Sequence, residues 1–230
     1  MLIRTLPLVT GLLPIVAIHL SYVIAIVYDR LPACVPYLAG CTSISGTGRY
    51  PPASYLFKAV MLPQSVLLLA FWLFTVAWLR ALERSTGSHA RPGAGIGAMG
   101  AASALALVLY VTFLGTEEPF YEFMRRFGIY LYFLFLILSQ LTLAVRVRSL
   151  AMRLDNATLL QIARAQWLLA AVPFVLGILN LVLKAILDDA DASENIIEWI
   201  VALAMQVHIL LNFWSWRLTG FDAGFSVASR

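Results

Sequence analysis

Charge is what this chain has least of. Charged residues make up 12% of the 230 and hydrophobic residues 61%, whereas a soluble domain is about a quarter charged and about half apolar. One small core cannot hide that much apolar surface, so an ordinary soluble domain is excluded and a bilayer becomes the solvent. Cysteine is nearly missing, with Cys34 and Cys41 alone, and histidine is limited to three. The two histidines that fall in apolar runs are too few for an ordinary zinc site, so no metal is expected. HExxH, GxSxG and CxxC do not occur, which removes the strong catalytic signatures. No cofactor is implied. No Lys/Arg run or recognition module is present either, so no nucleic-acid partner is expected. There is no internal repeat.

What is present is apolar length. A membrane span needs roughly 20 mostly apolar residues. Six stretches qualify, at about 7–28, 56–79, 96–115, 127–145, 165–187 and 197–216. Each must satisfy its own backbone hydrogen bonds in lipid, so they read as helices, and the alternation of a membrane barrel is absent. The expected fold is all-α: a single domain over 1–230, a bundle of six transmembrane helices with no room for a soluble domain. Pro14, Pro63 and Pro173 lie inside spans and predict kinks rather than breaks. The first run has only Arg4 ahead of it and is long for a signal core, so it reads as a retained span.

Orientation follows from Lys and Arg. The N-terminus, the 80–95 and 146–164 loops and the C-terminus hold ten basic residues against three acids, a net of +7. The opposite set holds six against nine, a net of −3. Both termini are therefore expected in the cytoplasm. The polar stretch "SISGTGRYPPASYLF" (Ser43–Phe57) is expected to face periplasm, lumen or exterior. The sequon at Asn156 then falls on the cytoplasmic side and reads as unglycosylated. Cys34 and Cys41 precede the polar stretch on the oxidising side; a disulfide and two free thiols both remain open, because spacing does not fix geometry.

Polar residues inside spans are costly and usually mark a site or a path. His19 and His208 both fall near mid-bilayer if depth is counted at 1.5 Å per residue. They could meet as a proton-handling pair, or each could serve as packing glue, His208 with Asn212. Gln140 and Asn180 join them in a transporter reading. At the outer span ends, Arg49, Lys58 and Lys184 could bind an anionic headgroup, or the lysines could snorkel. Glu198 begins the sixth span at the same level, with Lys184 as an ion-pair partner; it is the leading candidate for proton transfer or headgroup binding. Ser43 and Ser45 are nucleophile candidates without an evident base. Gly46 and Gly48 could cradle an anion with their backbone N–H groups, or simply make the turn.

These residues resemble a known family. "ACVPYLAGCTSISGTGRYPPASYLFKAVM" is similar to the first outer loop and second-span entry of DRAM/Sfk-like proteins. Cys34, Pro36, Ser43, Ile44, Ser45, Gly48, Pro52, Tyr55 and Phe57 carry that likeness. "NIIEWIVALAMQVHILLNFWSW" resembles the sixth span of the family, with Glu198 and Trp199 as its opening Glu-aromatic pair. Many members have a histidine before a glycine at the start of the fourth span; here Arg126 and Phe127 precede Gly128. The resemblance implies six spans with both termini inside. Its GPI-remodelling branch implies work on membrane lipids or lipid-anchored molecules, and its other branches imply regulation of lipid distribution or membrane traffic. A remodelling enzyme, a non-catalytic membrane organiser and a small transporter are the three functions carried forward.

Overall fold

In a computed structural model, residues 2–87 and 93–222 are described. A short 3-10 turn at Leu2–Thr5 leads into α1 (Leu6–Val27). Two short helices follow, α2 (Pro36–Ala39) and α3 (Ile44–Thr47), and then α4 (Ala53–Ser85), α5 (Ala94–Thr112), α6 (Pro119–Arg153), α7 (Ala157–Ile186) and α8 (Asp191–Leu218). Among the described residues there is no strand. Six helices are long and apolar enough to cross a membrane. The chain is an all-helical, multi-pass integral membrane protein. Arg91 and Arg230, part of the charge expected with the termini, lie outside the described residues.

The chain itself sets the helix ends. Pro119 opens α6, where a missing N–H costs nothing. Asn156 caps α7 by accepting the Leu159 N–H at 2.9 Å. Pro14, Pro63 and Pro173 sit within helices that continue through them. Several helices outrun the expected spans. α6 has 35 residues where 127–145 was expected, a rod of about 50 Å, so its first turns rise beyond the apolar run and make Arg125 and Arg126 helical residues.

The helices form a closed ring. Each long helix packs on its neighbours in sequence, and α8 returns to pack on α1. Trp72, Trp78, Trp199, Trp216, Phe57 and Phe71 are fully buried between them. α7 is the least buried of the six, and its Phe174, Ile178, Leu181 and Val182 stay exposed, as lipid-facing side chains can. α2 and α3 cover one mouth of the ring, called the loop end below.

Candidate functional site

The polar stretch is fastened to the ring at several points. Cys34 and Cys41 form a disulfide that encloses α2. Beneath it, the Tyr22 hydroxyl donates to the Pro32 carbonyl and accepts the Cys34 N–H, each at 2.9 Å. From α8, Asn195 Nδ2 donates to the Gly40 carbonyl at 2.8 Å and Trp199 Nε1 to the Thr42 carbonyl at 2.9 Å. Ser43 caps α3 by accepting the Gly46 N–H at 3.0 Å. The Glu198 carboxylate accepts the backbone N–H groups of Ile44 and Ser45, the unsatisfied donors of that helix start. α8 thus supplies partners for the loop backbone at Gly40, Thr42, Ile44 and Ser45.

Gly46 and Gly48 serve packing. A Cβ on Gly48 would lie 2.4 Å from the Phe57 ring, and one on Gly46 would lie 2.5 Å from Thr42 Oγ1. Arg49 is positioned from the far side by the α5–α6 connection. There Gly115 takes φ +85°, and a Cβ would stand 2.6 Å from the Arg49 carbonyl oxygen.

Two cavities with wall residues in common lie under this loop. The upper one, about 600 Å³, is polar: Ser43, Ser45 and Arg49 from the loop, Tyr110 from α5, Arg125, Arg126 and Ile129 from α6, and Asp191, Glu194, Asn195 and Glu198 from α8. The lower one is an apolar cleft whose walls include Ile18, Phe57, Met61, Leu107, Tyr132 and Leu203. Its free volume, about 50 Å³, is small beside that of the upper cavity. Tyr110, Ile129 and Glu198 belong to both. The Tyr110 hydroxyl is 2.9 Å from Ser45 Oγ and lies within electrostatic reach of Glu198, Arg125 and Arg49.

An aromatic group closes the cleft toward the loop. His19 Nδ1 lies 2.7 Å from the Ile15 carbonyl and must donate to it. Its Nε2 is then the acceptor for the Tyr37 hydroxyl at 3.1 Å. Tyr37 stacks on His19, and Trp199 meets both rings edge-on. Burial pushes the Tyr37 phenol above its ordinary pKa, so it remains a donor at neutral pH.

A family model described as the Frag1/DRAM/Sfk1/Cwh43P N-terminal domain matches residues 3–217. The chain belongs to this family. Searches of curated proteins and of solved structures return no match. The matched residues include both stretches that meet at Glu198, the polar loop and the start of α8.

The geometry rearranges several sequence expectations. Lys184 pairs with Glu194 at 2.7 Å and not with Glu198. Neither Lys58 nor Lys184 lines the polar cavity; of the three expected cations, Arg49 alone does. His19 and His208 are not paired. His19 is committed to Ile15 and Tyr37, while His208 is fully buried beside the Gln140 backbone. Gln140, Asn180 and His208 line neither cavity, and Gln140 spends its amide on the Met205 carbonyl at 2.9 Å. Ser43 and Ser45 line the polar cavity, which has no histidine on its walls. The sequence reading missed Tyr110, which looks like one more apolar residue of its span. It also gave no role to Arg125, whose place beside a span start was the available signal.

Proposed function

We propose that this protein handles membrane lipid at the outer or lumenal leaflet, with the headgroup in the polar cavity and the start of one acyl chain in the cleft. One observation carries the reading: a charged cavity and an apolar cleft lie side by side and share the wall residues Tyr110, Ile129 and Glu198. A soluble solute needs no such apolar annex, and a purely structural loop needs no open cavity with three arginines on its wall. The narrow cleft receives the first part of a tail while the remainder stays in the bilayer. Membrane lipids and lipid-anchored molecules are the expected partners. The charge asymmetry along the chain supports an outward loop end.

Glu198 is the group for headgroup contact or proton transfer. The hydroxyls of Ser43 and Ser45 are hydrogen-bonded to Gly46 and Tyr110, which suits them to shaping the cavity more than to attack. The bonds from Glu198 to α3 support a second reading, a non-catalytic organiser in which Glu198 ties loop to helix. Native mass spectrometry of the purified protein, before and after added lipid, tests the first reading; a spectrum free of lipid adducts under all conditions would end it. Sidedness is tested by labelling single cysteines placed near Glu118 and Asp191, expected to react from outside, and near Arg153, expected to stay protected.

A further inference from the structure

The polar cavity carries both signs of charge and does not neutralise them internally. α8 presents Asp191, Glu194, Asn195 and Glu198 to it, at spacings that lie on one helical face. The loop and α6 present Arg49, Arg125 and Arg126. No ion pair joins the two groups among the described residues. Arg125 and Arg126 share Glu122, at 3.2 and 2.7 Å, and Glu194 pairs with Lys184. Among the described residues Arg49 and Glu198 have no ionic partner, and the buried Arg49 Nε–H has no acceptor. Arg49 and Glu198 share one cavity, do not meet and stay free to bind.

We infer that the cavity takes a zwitterionic headgroup of the aminoethyl phosphate class, with its phosphate against Arg49 and Arg125 and its primary ammonium against Glu198. The inference rests on the lipid reading above and names the headgroup for the same site. Guanidinium groups match phosphate oxygens in geometry and charge. A purely anionic headgroup would bring its charge to a wall that also holds three carboxylates. A primary ammonium brings N–H donors, which the oxygens of Asp191, Glu194, Asn195 and Glu198 can accept. A quaternary ammonium is held instead by aromatic faces, and Tyr110 is the sole aromatic residue on the cavity wall.

The test uses the full chain in detergent micelles, titrated with phosphatidylethanolamine, phosphatidylcholine and phosphatidylglycerol of identical chains and read by native mass spectrometry. Phosphatidylethanolamine should bind about tenfold more tightly than the other two, the size of one charge-assisted hydrogen bond. Glu198→Gln should remove that preference and leave phosphatidylglycerol binding intact. Arg49→Gln should weaken phosphatidylethanolamine and phosphatidylglycerol alike. Soluble O-phosphoethanolamine should compete only at far higher concentration, because it lacks a chain for the cleft; if it binds as tightly as the lipid, the lipid source is overturned. Equal binding of all three lipids overturns the headgroup assignment while the lipid reading stands, and no binding of any lipid ends both. Should Glu198→Gln fail to fold, the headgroup series on the unmodified protein decides alone.

Discussion

The two ends of the bundle treat a carboxylate in opposite ways. Glu83 lies on α4 at the end away from the loop and is 1% exposed. It is answered by α6, with Arg146 Nη2 at 2.6 Å and Arg153 Nη1 at 3.9 Å. The Arg146 approach is off the hydrogen-bond direction, so it acts through charge at short range. Glu198, at the loop end, is half-buried, and no ion pair reaches it among the described residues. Backbone N–H groups hold it instead, and the arginines near it stay on the cavity wall. A buried carboxylate answered by cations from a second helix is a structural tie between the two helices. One held by neutral donors beside an open cavity is left to take a partner from outside the protein.

That contrast can be broken by experiment. The largest effect should come from Glu83→Ala, which leaves Arg146 and Arg153 beside an empty buried site. A loss of about 3–4 kcal/mol is expected, read by thermal unfolding in detergent. The pair Glu83→Leu with Arg146→Met should cost much less than the single change, since the apolar replacement leaves only the half-exposed Arg153, which solvent can reach. A Glu83→Ala protein that melts like the parent would remove the contrast at its source.

The loop end should depend on a covalent tie where the other end depends on charge. Replacing Cys34 and Cys41 together by serine should cost about 2 kcal/mol, from a short closed loop. The loss should be reproduced by adding reductant to the unaltered protein, and the Glu83→Ala loss should add to it, because the sites are at opposite ends. Trp199→Phe is expected to cost about 1–2 kcal/mol by removing the donor to the Thr42 carbonyl. Hydrogen exchange should then rise first across Thr42–Arg49.

Glu198→Gln should have the smallest effect on stability, within about 1 kcal/mol, because the amide oxygen still accepts a backbone N–H. Its consequence should appear in lipid retention. If the variant lost as much stability as Glu83→Ala and bound lipid normally, Glu198 would be a tie like Glu83, and the organiser reading would replace the lipid one.

The sequence by itself determined the class of this protein. Six apolar runs of spanning length have no soluble alternative, and the helix is the conformation that satisfies each backbone locally in lipid. Pro14, Pro63 and Pro173 were legible as residues inside spans because a proline acts through its own backbone. Residues of the site were readable one at a time: the polar loop stood out by composition, and Glu198 by the cost of an acid at a span start. Their partners were not. That Lys184 turns to Glu194, that Arg125 faces the cavity from an extended α6, and that Tyr110 sits under Ser45 depend on how far each helix continues and how it is rotated in the ring. Those quantities are set by close packing between helices distant in sequence, as in the return of α8 onto α1, where a Cβ on Gly11 would lie 2.7 Å from the Leu210 side chain. An apolar run has nearly the same hydropathy whichever way it is turned, so tertiary structure alone decided which charges were paired and which were left facing the cavity.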